Sequence, residues 1–419
     1  MKGRLLFIAI IVLGCSEEHE TKKKLCSPFI MTISDAIPVQ FWVNGVETFN
    51  QKEVCGITPA CFCQPFNSTD EVRIQISDSE YNSFELRILD SSSTLITTLS
   101  FSEISENVHE ISFVPSEIEV TNESVRLQII GILTLVNEDF NSSINSWDNF
   151  STGNDWTWTN DAGNGSALST TTGDNTKFLR QQITILTDDE LQISGEVRVV
   201  RISGSSELIW YIFNGSTVVF SNVLTNFGVS NTLTFSGEII ASSSATHLGF
   251  RALPGSGSHD IYMHNFNLEL RRIVAYSDCV DIKESHDCTQ LIRYDNTKDF
   301  AGIEYSSFSP TAEFYLRIPA IFFHERNTEE EENFEESSEN IVRLRNEIKL
   351  KRLLEVGFMP DYMHRKLLLI LAHDTIEIDG ESWIKRDPYE KEEPGNRRYP
   401  LKKASVLLTQ KDYIKRNIL

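Results

Sequence analysis

At 419 residues the chain is too long for one hydrophobic core and suits two or three domains. A hydrophobic content of 40% with 10% aromatic residues excludes extensive disorder. The net charge of −22 is uneven: residues 340–419 carry 17 Lys and Arg against 12 Asp and Glu, which leaves −27 for the remainder. Such an acidic body repels phosphate backbones, which excludes nucleic acid as its partner. The slightly basic C-terminal part suits a protein surface better than DNA.

In chain order the first signal is N-terminal. Lys2 and Arg4 precede an apolar run over residues 5–13, and Gly14-Cys15 follows. This is a charged region, a short apolar region and a small residue before a cysteine. The run is too short to span a bilayer. Val12-Leu13-Gly14-Cys15 resembles a bacterial lipobox, and Ser16-Glu17-Glu18 resembles the surface-export tag of Bacteroidetes lipoproteins. The resemblance implies lipidation of Cys15, with residues 1–25 as signal and tether and the lipid as the membrane attachment.

Six further cysteines, Cys26, Cys55, Cys61, Cys63, Cys279 and Cys288, are an even set that an exported protein can pair. Cys279 and Cys288 flank a short polar loop that a disulfide between them would close. Cys55, Cys61 and Cys63 lack zinc-finger spacing and have no neighbouring histidine, so disulfides or buried thiols are expected ahead of metal.

Residues 26–136 predict a small N-terminal β-sandwich. Val72, Ile74 and Ile76 alternate with Arg73 and Gln75, and Phe84, Leu86 and Ile88 alternate with Glu85 and Arg87. Period two marks half-buried antiparallel strands. Further strands are expected over residues 95–101 and 125–130, with a turn over 90–93.

Residues 137–272 are rich in Ser, Thr, Asn and Gly, with short β runs about ten residues apart. Strands are expected over residues 178–185, 190–200, 208–213, 217–220, 231–241, 247–252 and 260–270. The polar stretch 154–165 reads as a loop by composition.

Residues 273–419 predict an α+β domain. The acidic run 329–336 precedes a long helix over 337–355, capped by Ser337 and Ser338, with Ile341, Leu344 and Ile348 on one face. Gly357 and Pro360 end it. Extended segments over residues 366–371 and 375–378 lead into Asp379-Gly380, and 381–385 returns as a hairpin. The fold class expected is therefore mainly β and multi-domain.

The middle region is similar to jelly-roll carbohydrate-binding modules of the galactose-binding-like type. The residues are Phe140 and Trp147, Trp156-Thr157-Trp158, Leu179-Arg180-Gln181-Gln182, the strand from Leu191 to Val197, and the closing run from Asp260 to Leu268. The resemblance implies glycan binding. Stacking on a sugar ring needs flat aromatic faces, and its hydroxyls need amides, acids or guanidinium groups. Trp156, Trp158, Trp210, Tyr211 and Arg251 are the candidates. Trp210 and Tyr211 are adjacent on a strand, so one of the two faces the core. A tryptophan in a polar loop is harder to explain as core, which favours Trp156 or Trp158 over Trp210. The resemblance also implies a structural Ca2+, with Glu138, Asp139 and Asp260 where its oxygen ligands are expected; solvated surface acids are the alternative.

The outer regions resemble tail or baseplate-type structural proteins of Bacteroidetes phages and prophages. The carrying residues are the stretch from Cys63 to Ile76, the run from Arg317 to Glu325, that from Pro360 to Leu367, Ile376 to Gly380, and Arg398-Tyr399-Pro400-Leu401. That group implies structural subunits or further copies of the chain as partners, and a virion location. The export signal departs from the group, since a virion protein assembled in the cytoplasm needs none.

Catalytic constellations are missing from the sequence. His324-Glu325 opens like a zincin motif, but residue 328 is Thr and no second histidine follows. No phosphate-cradling loop occurs, and nothing singles out a carboxylate pair for glycoside hydrolysis. The expectation is a non-enzymatic, adhesive protein that needs no cofactor. It is either part of a tail-like assembly that binds host glycan through the middle domain, or a glycan-binding surface lipoprotein.

Overall fold

The computed structural model describes residues 32–43, 62–134, 148–150, 156–161, 164–172, 178–200, 206–227, 232–254, 258–307, 312–325, 328–335, 341–392, 401–411 and 414–417. The protein is mainly β. Among the described residues there is one α-helix, Asp361–Ile370, and the rest of the regular structure is almost all strand.

The middle region forms two antiparallel sheets packed face to face. One runs in the order Asp148–Phe150, Phe178–Ile185, Ala245–Pro254, Ser206–Asn214, Thr217–Phe227. The strands of the other are Trp156–Asp161, Asn164–Thr172, Ser258–Ser277, Glu190–Val200 and Thr232–Ile240, each paired with the next. Alternation sends one face of each strand inward. Leu191, Ile193 and Val197 from one sheet meet Leu179, Trp210, Ile212 and Phe250 from the other in a single core. The stretch 154–165, expected as a loop, instead holds the strand Trp156–Asp161 and the start of its partner Asn164–Thr172. Its small polar residues suit a turn, but Trp156 and Ala167 alternate into the core and hold it as a sheet.

The flanking regions share a second core, built from residues 36–129 and 274–408 together. The parallel pair Gln64–Asn67 and Val280–Lys283 joins them. Beside that pair Cys63 and Cys279 form a disulfide, with Cα atoms 4.6 Å apart. Of the pairings the sequence left open, Cys279–Cys288 does not form: Cys288 is free and exposed on its turn, and the parallel register carries Cys279 to Cys63 instead. Cys26, Cys55 and Cys61 lie outside the described residues. A buried ion pair ties the same halves, with Arg317 Nε and Nη2 donating to Asp70 at 2.6 and 2.8 Å.

The helix expected over 337–355 is also corrected. Residues Ile341–Lys349 and Lys351–Met359 are strands, the first paired with both Thr328–Glu335 and Ile414–Asn417, the second with Phe314–Glu325 and Lys402–Gln410. Ile341, Leu344 and Ile348 fit a helical stripe, but Val342 and Leu344 equally fit period two. The neighbouring strands decide by accepting the backbone hydrogen bonds. The acidic run lies largely within the Thr328–Glu335 strand. The helix is instead Asp361–Ile370, which includes residues expected to be extended. Tyr362, Met363, Lys366, Leu367 and Ile370 are buried at helical spacing, Pro360 stands at the N-cap, and Asp361 sits in the first turn, where its charge suits the helix dipole. The Asp379-Gly380 hairpin forms as expected, with φ of 56° and 77° at the two turn residues.

One strand links the two cores. Ser258–Ser277 closes the sandwich with its first part and pairs with Glu123–Thr134 and Phe41–Val43 through its last. At the junction Arg272 donates to Asp189, both buried, with Nη2 2.8 Å from Oδ2. Arg87 pairs with Glu190, and Arg271 with Glu85. Burial pushes the nearby Tyr81 hydroxyl up to about 12. Gly131 is required there, since a Cβ would lie 2.6 Å from the Tyr81 ring.

Candidate functional site

Trp156 and Trp210 do not form an exposed platform. Trp156 is 1% exposed and Trp210 0%, both in the sandwich core. Trp210 therefore faces inward and Tyr211 outward, which settles the choice the strand left open. Trp158 lies on the Trp156–Asp161 strand, and its side chain is outside the described residues. Trp156 as a stacking face is corrected: paired with Ser169 in register, it alternates into the core rather than standing on a loop.

The outer face of the five-stranded sheet carries the other candidates. Register places Asp148, Arg180, Gly249, Tyr211 and Ser221 in one row across its five strands. The next row runs through Phe178, Arg251 and Ile209, since Leu179 opposes Phe250 and Arg251 opposes Ile209. Phe178, Ile209 and Phe213 are buried yet belong to neither core, so they form an aromatic and aliphatic layer of their own on this face. Phe178 meets Tyr211 edge-on at 4.7 Å and Phe213 at 5.0 Å between ring centroids. The Arg251 guanidinium lies 4.8 Å from the Phe178 centroid. Gly249 makes the layer fit. A Cβ there would come within 3.0 Å of both the Phe213 ring and the Arg180 stem.

Polar groups ring this layer. Arg180 Nε donates to Asp148 at 3.0 Å and its Nη1 to the Gly215 carbonyl at 3.2 Å. The His247 Nδ1 lies 2.9 Å from Thr246 Oγ1. Burial, then the Arg180 charge, hold the His247 imidazole below its usual basicity despite Asp148, so it is neutral at pH 7. Burial raises the Tyr211 hydroxyl, against the pull of Arg251. The half-buried Tyr211 therefore keeps its proton and can donate it. Phe178 and Phe213 are themselves buried, so what the face offers is guanidinium, phenol and imidazole groups set on an aromatic layer, and these can exchange hydrogen bonds with a polyhydroxylated ligand.

The sequence reading named Tyr211 and Arg251 as candidates but not Phe178, Arg180, Phe213 and His247, which the structure places on the same face. Their signal was present in the alternation: Phe178, Arg180 and Gln182 share one side of a strand whose other side, from Leu179 to Ile185, is core. Of the expected calcium ligands, Asp260 is half-buried on the Ser258–Ser277 strand, while Glu138 and Asp139 lie outside the described residues, as does Cys15. Among the described residues no three His, Cys, Asp or Glu side chains converge as a metal site. No described helix is long and apolar enough to cross a membrane.

No family model matches the chain, and no curated protein matches it. Solved structures with some similarity include CBM22 jelly-roll modules. The tandem CBM22-1–CBM22-2 domain of Paenibacillus barcinonensis Xyn10C is 14% identical, covering 67% of this chain and 82% of that one, with a TM-score of 0.27. The CBM22-1–GH10 modules of a Clostridium thermocellum endo-1,4-beta-D-xylanase, complexed with xylohexaose, are 11% identical over 32% of this chain and 28% of that one, with a TM-score of 0.26. The VP2 subviral particle of infectious bursal disease virus is 9% identical over 50% of this chain and 60% of that one, with a TM-score of 0.21.

Proposed function

We propose that the protein is a non-enzymatic glycan-binding protein that holds a polysaccharide on the outer face of the five-stranded sheet. The observation that carries this reading is the layer of Phe178, Tyr211 and Phe213, which is separate from both cores and is fringed by Arg251, Arg180 and His247. Tyr211 offers a ring edge and hydroxyl to a sugar, and Arg251 offers paired N–H donors to neighbouring hydroxyls. Substituting either by alanine is expected to weaken binding on a glycan array about tenfold or more, roughly 1.4 kcal/mol, with the melting temperature nearly unchanged. Full retention of binding in both variants sinks this assignment of the site.

For its setting, we favour an exported, lipid-anchored surface protein over a component of a phage-tail assembly. The Cys63–Cys279 disulfide supports export, because such bonds persist in oxidising compartments and are rare in the cytoplasm, where virions assemble. Intact-protein mass spectrometry of native material tests this. Diacylglyceryl-Cys15 with residues 1–14 removed is the expected result; an unprocessed Met1 favours the tail-like assembly instead.

A further inference from the structure

The opposite sheet of the sandwich carries a recess that the aromatic face does not use. Leu191, Ile193 and Val197 of the Glu190–Val200 strand point into the core, so the residues between them face out. Register sets Gln192 between Glu238 and Glu269, and Ser194 between Ser236 and Asn267, on the two neighbouring strands. The second of these rows is short-chained and the first long-chained. Immediately beyond, the pairing with Ser258–Ser277 is interrupted by a bulge between Ser194 and Glu196. The result is a cavity of about 390 Å3 lined by these six residues, with Ile193 and Gly237 between them. That volume lies at the lower end of small-molecule sites, roughly 300–1,000 Å3.

The chemistry of the lining is specific. Glu269 accepts from Arg271 at 3.2 Å. Gln192, Ser194, Ser236, Glu238 and Asn267 make no side-chain hydrogen bond among the described residues, so two amides, two hydroxyls and a carboxylate converge with their donors and acceptors unspent. No ring and no cation lines the recess. The Glu269 charge is paired with Arg271 and that of Glu238 lies near Arg87, so the recess is close to neutral and offers an anion no lining cation, whereas hydroxyl groups can both donate to the carboxylates and accept from the amides.

We propose that this recess is a second saccharide subsite, which takes a neutral sugar unit through hydrogen bonds alone. The proposal rests on the reading of the sandwich as a glycan-binding domain, but it uses none of the same residues. Without an aromatic face the affinity is weak, on the order of millimolar, because each hydrogen bond only replaces one to water. Packed sheets lie about 10 Å apart, and the two sites open in opposite directions. They therefore engage separate polysaccharide strands, and a protein with both sites cross-links them.

Saturation-transfer NMR and calorimetry on the full chain test this, with cellohexaose and xylohexaose as neutral probes and hexagalacturonate as the anionic one. In a Tyr211→Ala/Arg251→Ala background, weak binding of a neutral hexasaccharide is expected to persist, with none of the anionic probe. Adding Ser194→Trp, which fills the recess, should abolish it. Adding Gln192→Ala/Asn267→Ala instead, which keeps the side-chain volume small, should weaken it at least tenfold. If the unmodified chain binds but the Tyr211→Ala/Arg251→Ala protein does not, the recess is not a site and the aromatic face stands. If binding is untouched by Tyr211→Ala/Arg251→Ala and lost only on filling the recess, the recess stands and the aromatic face falls. Absence of binding by the unmodified chain to every probe overturns both.

Discussion

The two cores are built from the same kind of strand but from different stretches of chain. The sandwich core draws on residues 156–270, one continuous segment, and the flanking core on residues 36–129 and 274–408, which meet only when the chain has closed around the sandwich. The sandwich is held by apolar contact between two sheets. The flanking body adds cross-links between its distant halves: the Cys63–Cys279 bridge across 216 residues, the buried Arg317–Asp70 pair, and Lys366. A core assembled from distant segments bears a larger loop-closure cost, and covalent and charged ties offset it.

Breaking one core at a time is the strongest way to test that difference. Trp210→Ala should cost the sandwich about 3–5 kcal/mol, since it removes a wholly buried indole. Arg317→Ala should cost the flanking body a similar amount, about 3–5 kcal/mol, because it strands the buried Asp70 carboxylate. Calorimetry should show two transitions that respond to different substitutions. A single transition that both variants lower equally would show that the long Ser258–Ser277 strand fuses the cores into one cooperative unit.

The disulfide should matter less and only to the flanking body. Cys63→Ser/Cys279→Ser is expected to lower its stability by about 2–4 kcal/mol, read from urea melts under oxidising conditions. A matching loss in the sandwich transition contradicts the division of labour.

The smallest effect is a pH dependence. Lys366 is wholly buried in the flanking core, where its Nζ donates to the Asp35 and Ile37 carbonyls at 2.8 and 2.7 Å. Burial pulls its ammonium down to about 7, against Asp35, from an ordinary 10.5. Between these values the unfolded chain binds the proton more than the folded one, so this group's contribution to stability rises with pH above 7 and is lost as pH falls through 7. Relative to Lys366→Met, the wild-type chain should gain about 1–3 kcal/mol from pH 7 to pH 9. A difference that stays flat across this window shows that the two carbonyls hold the ammonium charged.

The sequence by itself determined two strands of the sandwich in full. The alternation over Phe178–Ile185 and Glu190–Val200 matches the observed bounds, because each strand has one buried face and period two follows from the pleat. It also determined the Asp379-Gly380 hairpin, whose positive φ values depend on the two turn residues alone. Tertiary structure decided whatever depends on partners distant in sequence. Residues 341–349 pair as a strand because Thr328–Glu335 and Ile414–Asn417 flank them, and the local stripe could not report that. Cys279 bonds Cys63 because a parallel pairing brings residue 64 beside residue 280. The site follows the same rule. Composition marked Trp156 as exposed, yet its cross-strand partners bury it, while Phe178, Phe213, Arg180 and His247 meet on one face only through a register that joins strands up to about 70 residues apart. Burial and adjacency are properties of the pairing between strands, and period two within a strand fixes only which residues share a side.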